Sequence, residues 1–288
     1  MICRQLRVFA WIAAFALTVQ LCGQQQVDEL PEPERTTLLQ RLRRLDISYT
    51  DWTLMLDVGE KAKALGARAI PVLVAEIATA AEQDDPRYGI RLMGVLTRID
   101  PPQGITKLEG VIASADAGAA ALAARVLGRS APAANVAAVV VARLPAESRG
   151  GVASSLAMAA GDAGATGTAM LLREMIENGK VPRQSSQWFA LALAQVAEQD
   201  MQAEAPRWLR TGSNLAATGV LLVRRTRDVK AEQPLLELLP QVTDKGTLAW
   251  FAQTLGAMAA TPPAPRSAPR SQRSWRRRSR SWRGKVRW

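Results

Sequence analysis

The sequence predicts an all-α protein, on three observations. Alanine and leucine dominate in runs such as GAAALAARVLG and SSLAMAAGDAG, while aromatics make up 5% of the 288 residues and only two are tyrosine, a balance that favours helix over strand. Apolar residues fall at helical spacing in segment after segment, as in Ala119, Leu122, Ala123, Val126 and Leu127. These segments return at a nearly regular interval. With 48% apolar residues the chain can bury a sizeable core.

Taken in order, residues 1–23 read as a secretory signal peptide. Arg4 and Arg7 form a short basic region, Val8 to Leu21 is an uncharged and mostly apolar stretch, and polar residues follow at once. Fourteen residues is short for a transmembrane helix, which needs about 20. The expected destination is therefore outside the cytoplasm: periplasm, cell surface or medium. Cys22 is a candidate lipidation site, although Val19, Gln20 and Leu21 ahead of it match a lipoprotein signal poorly, and cleavage after Gly23 is the alternative. Residues 24–33 read as a linker.

The helical repeat domain is expected over residues 34–260. Leu92, Val95, Leu96 and Ile99 form one helix face, Phe189, Ala192, Leu193, Val196 and Ala197 another, and Leu248, Phe251, Ala252 and Leu255 a third. The last apolar pairs of such helices are Val95/Leu96, Val126/Leu127, Ala159/Ala160, Val196/Ala197, Leu222/Val223 and Leu255/Gly256. Their mean spacing is 32 residues, the size of a two-helix unit. The second helix of a unit follows a Pro- or Asp-containing break: Ile105, Leu108, Val111 and Ile112 after DPPQG, and Val136, Val139 and Val140 after SAPAA. Pro71 and Pro234 sit early in their helices, where a missing N–H costs little.

The stretch AALAARVLGRSAPAANVAAVVVARL resembles the HEAT and HEAT-like repeat families, and RLMGVLTRIDPPQGITKLEGVIAS and LAWFAQTLGAMAATPPAP match in part. The resemblance covers roughly residues 50–262. It implies an α-solenoid of antiparallel helix pairs that binds a protein or peptide along its curved surface, and it carries no catalytic residue across. An irregular helical globule of similar helix count is the alternative arrangement.

Several chemistries are excluded. There is no His, and the only cysteines are Cys3 and Cys22, which removes His-based acid–base catalysis, Cys and Ser-His nucleophiles and ordinary Zn sites. Ser-Lys, carboxylate-only and Ca²⁺ chemistry survive without a motif; Asp84 and Asp85 in EQDDPR lack Ca²⁺-loop spacing and read as a helix end and turn. No catalytic residue, cofactor or metal is expected. The one candidate partner or anion patch is Arg207, Arg210, Arg224, Arg225 and Arg227, read against the commoner role of such charges as a solvated helix face. Trp52, Trp188, Trp208 and Trp250 are expected in the core.

Residues 261–288 stand apart, with ten Arg and Lys, no acid and three Trp; this stretch is expected to be disordered. With Arg4 and Arg7 also set aside, residues 24–260 carry 25 bases against all 26 acids, so the formal charge of +11 belongs to the tail. After Leu255 the turn ATPPAP arrives on schedule, yet no apolar second helix follows. One reading is an Arg/Trp arm for an anionic membrane or other polyanion, with nucleic acid disfavoured by export. Another is a stretch written out of frame, since GC-rich Leu-Ala codons read one base late give Trp-Arg, as at Trp275-Arg276 and Trp282-Arg283. Two functions follow: an exported scaffold for a protein or peptide, or a surface binder of polyanions acting through the tail.

Overall fold

The structure is a computed structural model and describes residues 29–47, 51–182, 184–210, 213–242 and 245–259. The expected signal peptide, Cys22 and the basic tail lie outside these residues. Within them the fold is all-helical, without strands, and comprises fifteen α-helices joined by short turns and 3₁₀ segments. They are α1 (Glu32–Ile47), α2 (Trp52–Ala64), α3 (Ile70–Glu82), α4 (Pro86–Ile99), α5 (Pro101–Ile112), α6 (Ala117–Ser130), α7 (Ala133–Arg143), α8 (Gly150–Ala163), α9 (Ala169–Glu177), α10 (Ser186–Val196), α11 (Gln199–Ala203), α12 (Ala205–Trp208), α13 (Ala216–Thr226), α14 (Glu232–Leu238) and α15 (Lys245–Ala259). Helix α1 starts inside the stretch expected to be linker, and Leu30 just ahead of it is already buried.

The breaks fall where the sequence places breakers. Asp51, Asp85, Asp100 and Asp116 each occupy an N-cap and accept a backbone N–H from the first turn of α2, α4, α5 and α6 respectively. Pro71, Pro86 and Pro101 sit in the first turns of α3, α4 and α5, where the absent N–H has no helical acceptor to lose. Asp84 and Asp85 form the turn between α3 and α4, as their sequence suggests, with Asp84 at φ 56°.

The packing order alternates. Helix α2 packs on α4, α4 on α6, α6 on α8, α8 on α10, α10 on α13 and α13 on α15, so these seven form a consecutive row. The intervening helices pack against the row: α3 and α5 on α4, α5 also on α6, α7 on α8, α9 on α10, α12 on α13 and α14 on α15. Direction within the row follows from paired contacts. Trp52 meets Arg91 and Glu60 meets Arg98, in the same order along both chains, so α2 and α4 run the same way. Ser154 with Ser185, and Gly161 beside Ala192 and Gln195, establish the same for α8 and α10.

The buried apolar side chains make one cluster running from Leu30 to Phe251. Of the six apolar pairs that mark the period in the sequence, the first five are buried on α4, α6, α8, the end of α10 and α13. The second-helix residues Leu108, Val111, Ile112, Val136, Val139 and Val140 are buried as well. Two faces shift. On α6 the buried set is Ala120, Ala123, Ala124, Val126 and Leu127, with Ala119 and Leu122 only half-buried, because a row helix meets neighbours on both flanks and its apolar stripe rotates to serve them. On α15 Phe251 is buried, whereas Ala252, expected on the same face, is exposed: no described helix follows α15 in the row.

Glycine sets how closely the row stacks. A Cβ at Gly94 on α4 would meet Val126 Cγ1 of α6 at 2.5 Å, one at Gly128 on α6 would collide with the Ala159 backbone of α8, and one at Gly161 on α8 would collide with Gln195 of α10. The helices approach at these points only because no side chain stands between them. Farther along, arginines do the joining. Arg225 on α13 donates to the carbonyls of Ala194 and Gln195 on α10 at 2.6 and 2.8 Å, and Arg224 donates to Gln253 of α15 at 2.8 Å.

Candidate interaction surface

One charged assembly on the row runs from α2 to α8. Arg91 on α4 is fully buried, with its guanidinium 5.3 Å from the centroid of the Trp52 ring, and Arg129 on α6 lies 4.5 Å from the same ring. The half-buried indole thus takes a cation from each of two neighbouring row helices, using its negative face to offset charge held away from water. Arg129 and Arg125 both donate to Asp162 Oδ2 of α8 at 3.1 Å. The chain Arg91, Trp52, Arg129, Asp162, Arg125 therefore links four successive row helices. All of it is internal bonding.

At its far end Arg125 borders a shallow pocket of about 340 Å³, shared with Gly150, Gly151, Ser154, Ser155 and Met158 of α8, and Gln184, Ser185 and Trp188 at the start of α10. The sequence builds this pocket through local geometry. Gly150 and Gly151 open α8 without side chains, and Ser154, Ser155 and Met158 follow on the same flank at helical spacing. The Ser154 hydroxyl lies 2.8 Å from both the Gly150 carbonyl and Ser185 Oγ, and the Ser185 hydroxyl donates to the Gly150 carbonyl at 3.0 Å. These bonds fasten the start of α10 to the first turn of α8. Trp188 then stands at the rim, 38% exposed.

The lining offers groups for hydrogen bonding and for apolar contact. Among the described lining residues there is one guanidinium, already paired with Asp162, together with hydroxyls, an amide, a thioether and an indole; none is a carboxylate or a lysine beside a serine. The lining pairs flat apolar surface with hydrogen-bonding groups, as in peptide-binding surfaces. Among the described residues no group of three or more Cys, Asp or Glu is placed to hold a metal ion, and no helix is long and apolar enough to cross a membrane.

Two other polar clusters support the fold. Arg149, just ahead of α8, donates to the carbonyls of Ile112 and Ser114 at the end of α5, and to both oxygens of Glu147 at 2.7 to 2.9 Å. Those bonds hold the Glu147 carboxyl below its ordinary pKa and raise that of Arg149. Tyr88 on α4 donates to Glu76 on α3 at 2.9 Å, and burial, with that hydrogen bond to a carboxylate, pushes its phenol well above the usual range. Burial alone lowers the pKa of Lys107 on α5.

The five arginines singled out in the sequence are divided among separate tasks. Arg207 is exposed on α12 and Arg210 is exposed just beyond it. Arg225 reaches back to α10 and Arg224 forward to α15, in opposite directions along the row. Arg227 terminates α13 in the left-handed conformation at φ 54°. Of the four tryptophans expected in the core, Trp208 is buried and Trp52 and Trp250 are partly buried, but Trp188 is exposed on the pocket rim. The buried face of α10 is Phe189, Ala192, Leu193 and Val196. Trp188 lies about 100° from Phe189 around the axis, a displacement the sequence already contained.

No family model, no curated protein and no solved structure matches this chain.

Proposed function

We propose that the protein is an exported, non-catalytic scaffold of HEAT-like repeats, an α-solenoid whose row helices offer a surface to a protein or peptide. The observation that carries this reading is the recurrence of bonds between successive row helices at offsets of 29 to 38 residues. Arg129 bonds Asp162 33 residues on, Ser154 bonds Ser185 31 residues on, and Arg225 bonds Ala194 31 residues back. These offsets lie around the 32-residue mean period of the sequence, as stacked units of similar size produce. Export rests on the N-terminal stretch alone.

The binding surface is assigned to the pocket around Trp188. An exposed indole that shares its pocket with Met158, three serines and Gln184 suits an extended peptide that lays one apolar side chain on the ring and offers backbone groups to the hydroxyls and amide. A peptide-display selection on the purified full chain tests this. Selected sequences should lose at least tenfold in affinity on Trp188→Ala while the melting curve stays unchanged. Peptides indifferent to Trp188→Ala, or turnover of a substrate by the purified chain, would contradict the reading.

A further inference from the structure

We infer that the pocket at Trp188 selects a carboxylate, and that its occupant is an extended segment of another protein with an aspartate or glutamate close to the apolar residue that lies on the indole. The inference rests on the peptide reading above and names which peptide it is. Charge carries the first step. Helices α8 and α10, which wall the pocket, hold one charged residue between them, Asp162. That carboxylate is used twice: Arg125 and Arg129 both donate to its Oδ2 at 3.1 Å, so two guanidiniums share one negative charge. The sequence from Lys180 to Ala197, which leads into and forms α10, adds two bases and no acid. The surroundings of the pocket are therefore short of negative charge, and Arg125 is the charged residue of its described lining.

Arg125 is also short of acceptors. Its Nη2 donates to Asp162, while its Nε is buried with no hydrogen-bond partner among the described residues. The side chain keeps 25% exposure, and that water still solvates the cation. A peptide seated on Trp188 and Met158 closes over the same pocket and removes part of it. A purely apolar occupant would leave the guanidinium poorly compensated, whereas a carboxylate replaces the lost water with a charge-assisted hydrogen bond.

Position sets the spacing. Arg125 lies on α6 and Trp188 on α10, to either side of α8, so the acid and the apolar residue of the occupant are separated along its chain. Alternate side chains of an extended segment share a face roughly 7 Å apart, which places the acid two or four residues from the apolar one. Because the pocket is shallow, the segment continues beyond it, and the carboxylate belongs to a side chain rather than to a chain terminus. Other polyanions fit less well: a nucleic acid or an anionic lipid surface is held by many cations, and the described lining offers one. This chain's own residues 261–288, with ten bases and no acid, carry the wrong sign.

Fluorescence anisotropy on the purified full chain tests the inference with short labelled peptide pools built around a central Phe. One pool has capped ends and Asp among its flanking positions; a second has Asn in place of Asp; a third is the Asn pool with a free C-terminal carboxylate. The acidic pool should bind the parent about tenfold more tightly than the Asn pool, and high salt should shrink that preference. Arg125→Gln should abolish the preference without weakening the Asn pool, and Arg125→Lys should keep part of it. Both variants should melt like the parent, since Arg129 still holds Asp162. Equal binding of the acidic and Asn pools, with both lost on Trp188→Ala, overturns the carboxylate and leaves the peptide reading standing. Pools indifferent to Trp188→Ala overturn both. A preference that ignores salt and survives Arg125→Gln, or one shown by the free-terminus pool alone, also overturns the inference.

Discussion

Beside the first helices of the row, packed on α2 and α4, stands α1, in which seven of sixteen residues are charged; at the far end stands α15, in which one of fifteen is. Both are amphipathic enough to bury a face, with Leu38, Leu42 and Leu45 on α1 and Phe251 on α15 fully or almost fully buried. They differ in what they show to the outside. The α1 end meets water with carboxylates and guanidiniums, and α2 beside it adds the Asp57–Lys61 pair at 2.7 Å. The α15 end shows alanines and a glycine, the residue types that elsewhere in the row lie under another helix. The difference teaches that α4, α6 and α8 stack by close approach at glycine, and that the α1 end presents charge where α15 presents small residues with no described helix beyond them.

The sharpest way to break this comparison is to put the same side chain where another helix stands and where none is described. Gly128→Val drives two methyl groups into the Ala159 backbone and is expected to destabilise the fold by about 3 kcal/mol. Gly256→Val meets nothing among the described residues and should change stability by less than about 0.5 kcal/mol, since valine is no worse a helix former than glycine. Urea unfolding of both variants checks the pair. Next in size is Arg149→Met, which removes charged hydrogen bonds to Ile112 and Ser114 and leaves Glu147 without its partner. The expected loss is about 2 kcal/mol, against less than about 0.5 for Arg224→Met near the α15 end, where both Arg224 and Gln253 are exposed. Tyr88→Phe, near the α1 end, should lose about 1 kcal/mol by leaving buried Glu76 with one fewer donor.

The smallest effect is a pH dependence. Arg149 holds the Glu147 carboxyl below its usual pKa, so the folded state keeps that group ionised at a lower pH than the unfolded chain does. Its contribution to stability is complete above the unfolded value of about 4.5 and is lost as pH falls through the lower folded value. Acid titration of the parent and of Arg149→Met, followed by circular dichroism, should show this component in the parent and not in the variant.

Much of the fold was legible in the sequence because it rests on periodicity. The buried pairs from Val95/Leu96 to Leu222/Val223, the proline-led helices α3 and α5, and the Asp84–Asp85 turn all follow from local pattern. What was not legible depends on which helices become neighbours. Gly94, Gly128 and Gly161 sit inside apolar helical segments, and nothing in their local pattern shows that the next row helix needs the space. Arg225 read as part of a charged patch, and the structure makes it a cap on the carbonyls of α10. Trp188 read as core because tryptophan usually is; only its rotation away from Phe189 separates it from the buried face. The candidate site was the least legible part, since the Ser154–Ser185 fastening joins residues from different units.

The most direct test of stacking by close approach at glycine is the thermal stability of Gly128→Ala and Gly256→Ala, measured side by side. One methyl group is added to each helix, and alanine favours a helix over glycine by about 1 kcal/mol. Opposite signs are predicted: Gly256→Ala raises the melting temperature because no described residue stands within 4 Å of the added methyl, and Gly128→Ala lowers it because Ala159 already occupies that space. Two changes of the same sign would contradict the account.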